Sequence, residues 1–254
     1  MSNKSLKDIF MDKVYNYLLY YEILSFGKKF NKETFKGSIE KIYLYYEELL
    51  QWNQKINLTA VTDINGFIQR HIIDSAFLLK IMHLGNKNSP DDYGYIMDIG
   101  SGAGLPGIII SILMPELKII SVESVLKKCN FQKAAARKLG LSNFKCLNLN
   151  IFSYEDYGNI FAIITRAAFN MDELIRLIEK LDLKNDADIY LFLSKTDEVK
   201  KIETFKYKSK KVILDRLLFY KTDYSPNKKD NFRLIAKFKV NIICSTNQKI
   251  KLKI

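Results

Sequence analysis

The residues with the most chemical content lie between Ile96 and Ile112, reading IMDIGSGAGLPGIIISI. A short apolar run ends in Asp98. A turn dense in glycine follows (Gly100, Gly102, Gly104 and Gly107), and a second apolar run is long enough for a helix. Strand, tight turn and helix in that order open a nucleotide-binding βαβ unit. Glycine serves such a turn because it tolerates positive φ and leaves no Cβ between backbone and ligand. Glu123 closes the next apolar run, roughly 20 residues on, where a ribose-binding carboxylate belongs.

The spacing narrows the ligand. A dinucleotide fingerprint asks for glycine at the sixth position counted from Gly100, and that position is Leu105. The order D-x-G-x-G-x-G from Asp98 instead resembles the first motif of class I S-adenosylmethionine (SAM) methyltransferases. Such a donor has no pyrophosphate. Its methionine carboxylate suits N–H groups at the turn and helix start, and its ribose diol suits acceptors such as the Glu123 carboxylate. The plainer alternative is a glycine turn that only serves packing.

The elements that must position these residues follow from periodicity. Apolar residues Ile39, Ile42, Tyr43, Tyr46, Leu49 and Leu50 recur at helical spacing through 35–51, and a second helix is expected over 67–84. Residues 1–35 read as helical or as an irregular lead-in. The loop GNKNSPDDYG, 85–94, is the best boundary, dividing a helical N-terminal region, 1–90, from a domain over 91–254. Beyond it, strands are expected at 95–99, 118–123, 144–150, 161–167, 189–193, 211–220 and 232–240. Helices are expected at 106–114, 127–138 and 172–181. This alternation predicts an α/β fold, a mostly parallel sheet with helices on both faces and an antiparallel late edge. Ligands of such sheets sit beyond the carboxyl ends of the strands. Gly100, Glu123, Ile151–Phe152 and Arg166 should therefore converge.

Composition sets outer bounds. Lysine and arginine number 40 against 28 acids, a formal charge of +12. That excess suits a polyanionic partner, although the Lys, Asn and Ile richness also fits a bias in base composition. The cysteines, Cys129, Cys146 and Cys244, are odd in number and dispersed, with neither a disulfide framework nor zinc spacing. With only His71 and His83 besides, no metal is expected. No apolar run reaches the roughly 18 residues of a membrane span. The start, MSNKSLKDIFMDK, lacks a signal-peptide core. A cytoplasmic monomer is expected.

WNQKINLTAVTD, RHIIDS, MDIGSGAGLPGI, SVESVLKKCNF and ITRAAF occur in this order. Over roughly residues 48–238, this order resembles the bacterial RsmG (GidB) proteins, small-subunit ribosomal RNA methyltransferases. The resemblance implies a Rossmann-like class I SAM-dependent methyltransferase domain behind a small helical region. It also implies SAM as cofactor, 16S ribosomal RNA or the 30S subunit as partner, and methylation of guanine N7 at G527. By motif match, Gly100, Leu105, the pair Ile151–Phe152 and Arg166 would contact the cofactor, beside Gly102 of the glycine turn and the Glu123 carboxylate as further cofactor candidates. Two departures stand out. The family usually has an acid in the dipeptide, so only a backbone N–H to the adenine survives here. The family's later L-K-G segment appears as Leu193-Ser194-Lys195-Thr196.

Guanine N7 carries an in-plane lone pair and no proton. Its attack on a sulfonium methyl needs no general base; placement and in-line geometry supply most of the rate. Arg166 and His71 are the candidates for a direct catalytic part. Arg166 is a donor to cofactor or RNA phosphate, or else a salt bridge pinning a strand end. Arg70, His71 and Asp74, within one helical turn, either line the cleft and contact RNA or form an internal hydrogen-bonded cluster. Lys127 and Lys128, on a helix with Lys133, Arg137 and Lys138, either meet RNA phosphates or face solvent. Trp52 reads as a core anchor, and Asn57 and Thr59 as satisfying backbone groups at a helix end. The competing classes are an NAD-dependent oxidoreductase, a non-catalytic RNA-binding protein and a methyltransferase of other substrates.

Overall fold

The computed structural model describes residues 4–20, 32–82, 94–154, 159–166, 171–180, 187–193, 212–221 and 232–240. A helical lead-in comprises α1 (Leu6–Tyr20), α2 (Lys32–Asn53), α3 (Ile64–Phe67) and α4 (Asp74–Ile81), with a π-helical turn, Ile68–Ile73, between the last two. Then come β1 (Tyr95–Ile99), α5 (Gly107–Leu113), β2 (Lys118–Glu123), α6 (Leu126–Lys138) and β3 (Phe144–Asn148). β4 (Ile160–Arg166), α7 (Met171–Lys180), β5 (Ala187–Leu193), β6 (Val212–Lys221) and β7 (Phe232–Val240) complete the order.

The strands form one seven-stranded sheet, ordered β3-β2-β1-β4-β5-β7-β6. β1 pairs in parallel with both β2 and β4, β2 with β3, and β4 with β5. β7 runs antiparallel between β5 and β6, so the expected antiparallel late edge is present. The chain reverses direction across the sheet between β1 and β4, and the carboxyl ends of β1, β2 and β4 open there on one side. Such a switch point is where an open α/β sheet binds ligand.

Both sheet faces are buried, which explains the near-continuous apolar strands. Ile96, Ile119, Cys146, Ala162, Ile164, Tyr190 and Phe192 face one core cluster, together with α5, α6 and the lead-in helices. Met97, Ile99, Ile163, Ile189 and Leu191 face the other, with Leu174 and Leu177 of α7. The alternation along each strand assigns the faces.

An aromatic cluster welds the lead-in to the sheet. Phe10 of α1 stacks on Tyr46 of α2 with centroids 5.5 Å apart, and Tyr46 meets Phe67 at 4.7 Å. Tyr45 and Trp52 of α2 both reach Phe131 of α6, at 6.0 and 5.7 Å. Each such pair is worth roughly 0.5–1.5 kcal/mol beyond its buried area. Trp52 is thus a core anchor, with its indole N–H on Glu48 at 2.8 Å.

Two expectations need correcting. The helix expected over 67–84 is interrupted by the π turn, because helical apolar spacing does not distinguish a turn carrying one extra residue. Pro106 stands as the N-cap of α5 rather than inside its first turn, after a cis Leu105–Pro106 bond. Residues 85–93 of the expected boundary loop, together with His83, Lys195 and Cys244, lie outside the described residues.

Candidate functional site

The site begins at Asp98, fully buried at the penultimate position of β1. Its Oδ2 accepts the Gly107 N–H at 2.8 Å, joining the strand to the start of α5. Its Oδ1 is buried without a hydrogen-bond partner. Burial raises the Asp98 carboxyl to about 7, against the opposing pull of the Gly107 N–H and of Arg166.

The turn that follows has positive φ at Gly100 (68°), Gly102 (59°) and Gly104 (82°). The left-handed region penalises a Cβ, so glycine spacing here is a backbone requirement. Gly100 is exposed at the mouth, while Leu105 is buried and donates its N–H to the Ser101 carbonyl at 3.0 Å.

Glu123 ends β2 and turns back onto this loop. Its Oε2 accepts the Gly102 N–H and its Oε1 the Val125 N–H, both at 2.8 Å. The carboxylate is nearly buried, and each oxygen keeps a further lone pair for a hydroxyl donor. Beneath it lies a polar knot. Ser101 Oγ and Ser121 Oγ are 2.5 Å apart, and Ser121 donates to Gln132 Oε1 at 2.6 Å. Gln132 Nε2 donates to Ser101 Oγ and to the Gly102 carbonyl, both at 2.8 Å. Composition offered no cue to Gln132, since a glutamine among lysines on a helix reads as surface.

Beside the turn is a cleft of about 240 Å³, lined by Ile99, Gly100, Val122, Ser124, Leu149, Asn150, Ile151 and Phe152. The structure thus brings Gly100 and the Ile151–Phe152 pair together in one hollow. The pair sits in a 3-10 turn, Ile151–Ser153, capped by Asn150, whose Oδ1 accepts the Phe152 N–H at 3.0 Å. That N–H, expected to be available to an adenine ring, is engaged locally. The sequence reading missed Asn150, although an asparagine before a short turn is a familiar cap.

Arg166 ends β4 on the other side of Asp98. Its Nη1 donates to the Arg70 carbonyl at 2.9 Å and lies 3.3 Å from His71 Nδ1. His71 Nε2 is 3.1 Å from Thr59 Oγ1, and Thr59 Oγ1 accepts the Val61 N–H at 3.0 Å. Arg166 therefore pins the π turn to the strand end through the Arg70 carbonyl, with the His71 imidazole, itself 3.0 Å from that carbonyl, alongside; among the described residues no salt bridge of Arg166 is seen. His71 and Asp74 are buried and Arg70 is exposed. Thr59 serves backbone as expected. The second such residue is Asn53, whose Oδ1 accepts from Leu58 N at 2.8 Å and Thr59 N at 3.0 Å, rather than the exposed Asn57.

Lys127 is exposed and Lys128 half-buried in the first turn of α6, four and five residues after Glu123. Lys138, at the far end, hydrogen-bonds Glu48 of α2. Cys129 and Cys146 are free and buried, with sulfurs 3.0 Å apart. Among the described residues, no three His, Cys, Asp or Glu side chains gather as a metal site requires, and no helix is long and apolar enough to cross a membrane.

Residues 38–223 match the family model of the rRNA small subunit methyltransferase G (GidB) proteins. The chain belongs to this family. A ribosomal RNA small subunit methyltransferase G from Geobacter sp. (strain M21) is 38% identical over 135 residues, 53% of this chain and 58% of that protein. A member from Mycoplasma capricolum is 32% identical over 175 residues, 68% of this chain and 72% of its own length. The match therefore spans a little over half of the first relative and almost three quarters of the second. In fold, the chain is similar to a SAM-dependent methyltransferase from Aquifex aeolicus. The TM-score is 0.50 at 15% identity, covering 69% of this chain and 93% of that one. The fold is the Rossmann-like class I arrangement expected from the sequence. The family match takes in the RHIIDS segment, the glycine turn, Glu123, α6 and Arg166.

Proposed function

We propose that this chain is a SAM-dependent methyltransferase acting on N7 of a guanine in 16S ribosomal RNA, the family's G527. In this reading, residues 1–90 form the helical N-terminal region and residues 91–254 the methyltransferase domain. The protein works as a monomer in the cytoplasm on the 30S subunit or its RNA. The observation that carries the reading is Asp98. A buried carboxyl with one oxygen lacking a partner sits at the switch point of this sheet, beside a left-handed glycine turn. A partly vacant acceptor of that kind costs stability unless a ligand donor completes it.

The residues fit the cofactor. Asp98 offers its free oxygen toward a cationic amino acid end, Glu123 offers acceptors toward a ribose diol, and the Ile151–Phe152 hollow offers apolar walls toward a purine. When bound, the cofactor supplies an electrophilic methyl group on a sulfonium. The protein's task is placement. Arg166 and His71 hold the π turn against the strand end, so that Arg70, exposed on that turn, meets the RNA backbone. Lys127 and Lys128 do the same from α6. No side chain has to remove a proton, because N7 has none, and the product ring gains positive charge near the carboxylates.

The test has two stages. Titration calorimetry with S-adenosylhomocysteine should give saturable heat. The purified chain with SAM should then methylate 16S RNA or 30S subunits from cells lacking the gene, at a single guanine located by mass mapping. Absence of binding heat, or a mass map unchanged at every guanine, refutes the assignment.

A further inference from the structure

The hollow beside the glycine turn is joined, among the described residues, by a second and roomier one. A cleft of about 680 Å³ lies along the outer edge of the sheet, between α6 and β3. Among the described residues β3 is the outermost strand, and its far edge carries no strand partner there. The floor of the cleft is apolar, from Ala136, Leu141, Phe144 and Cys146, each at most 9% exposed. Its rim carries Lys133 and Arg137 from α6 and Lys145 from β3, all exposed. Among the described residues none of these three is in an ion pair, in contrast to their neighbour Lys138, which is held by Glu48.

The rim is continuous with the proposed RNA contacts. Lys127, Asn130, Lys133 and Arg137 are exposed at steps of three and four residues, so they form one stripe on α6. The stripe starts beside Glu123 and ends at the cleft, a run of about 15 Å at the helical rise. A row of unpaired cations over a shallow apolar floor matches a sugar–phosphate chain, whose charges are periodic and whose riboses are partly apolar.

We propose that the backbone of the substrate RNA, away from the methylated base, follows α6 from Lys127 and is anchored in the cleft by Lys133, Arg137 and Lys145. This rests on the RNA methyltransferase reading above and extends it to a second phosphate-binding site. The anchor is sequence-independent. It fixes the register of the RNA on the protein and leaves base choice to the cofactor site.

The experiment compares the full-length chain with Lys133→Gln/Arg137→Gln/Lys145→Gln. Binding to naked 16S RNA and to 30S subunits is measured across a potassium chloride series, and binding of S-adenosylhomocysteine by calorimetry. The variant should keep its cofactor affinity and thermal midpoint. Its RNA affinity should fall roughly tenfold at moderate salt, and its log–log salt slope should shrink by about 2. A wild-type salt slope in the variant overturns the anchor, including the case in which the cleft takes an acidic protein segment instead. If wild-type protein methylates RNA while the variant keeps the full slope, only the anchor falls. If wild-type protein neither binds the cofactor product nor methylates RNA, the functional reading itself has failed.

Discussion

The hydroxyl of Tyr45, on α2, donates to the backbone carbonyl of Ala103 in the glycine turn, 2.6 Å away and 58 residues later in the chain. The lead-in is thus more than a cover for the sheet, since one of its side chains holds the loop that shapes the site. Burial pushes the Tyr45 hydroxyl far above its ordinary range, so it remains a protonated donor at any working pH. Tyr45→Phe leaves the Ala103 carbonyl buried without that partner. It should cost about 1–3 kcal/mol in urea unfolding and weaken S-adenosylhomocysteine binding. Unchanged cofactor affinity would show that the loop keeps its shape unaided.

Asp98 makes a prediction about pH. Its carboxyl is raised from 3.8 to about 7 by burial. The protonated form is therefore favoured in the folded chain, and its stabilising contribution is complete below the unfolded value. It is lost as pH rises through about 7. Asp98→Asn removes the buried charge, so its stability relative to wild type should rise as pH increases from 4 to 8. The same variant should bind SAM at least tenfold more weakly. Wild-type protein should release protons on binding the cationic cofactor near pH 7, seen as calorimetric heats that vary with buffer. A variant that both loses stability above pH 7 and keeps its affinity contradicts this account.

Gly107 is constrained by space rather than by φ. A Cβ there would lie 2.8 Å from Asp98 Oδ2, 3.2 Å from Ile119 and 3.3 Å from Phe144. Gly107→Ala must displace the carboxylate that its own N–H holds. It should destabilise the chain by about 1–3 kcal/mol, with Gly37→Ala, where nothing lies within 4 Å, as the control. Equal melting temperatures for the two variants would remove the crowding argument.

Sequence alone carried most of the architecture. Apolar runs bounded by glycine and charge placed β1, β2 and β4 within a residue or so, because strands buried on both faces have little choice of composition. The glycine turn and Glu123 were legible for the same reason: φ and charge restrict the residue type. What stayed hidden depends on neighbours far away in the chain. Gln132 among lysines, Asn150 before an apolar pair, and Tyr45 on a helix full of tyrosines carry no local mark of their partners. The π turn was invisible because one added residue leaves the apolar pattern intact. The local partners of Arg166, a carbonyl and the neighbouring imidazole, carry no mark that a charge count reveals.

Arg166 offers a fourth test. Its Nη1 lies against both the Arg70 carbonyl and His71, held there by a planar guanidinium whose orientation an ammonium on a flexible stem does not match. Arg166→Lys should lower stability by about 1 kcal/mol and speed amide exchange across residues 68–75, with little change in α7. Exchange protection equal to wild type in the π turn would mean that packing alone holds it.

Gln132 belongs at once to α6 and to the floor of the glycine turn, because one amide grips Ser101, Ser121 and the Gly102 carbonyl. A bracket therefore joins the basic helix to the glycine turn proposed to hold the donor, and strain applied to one is delivered to the other. Thermodynamic reciprocity then fixes the outcome: whatever factor polynucleotide adds to cofactor affinity, the cofactor must return to polynucleotide affinity. Cutting the bracket should make the two titrations independent.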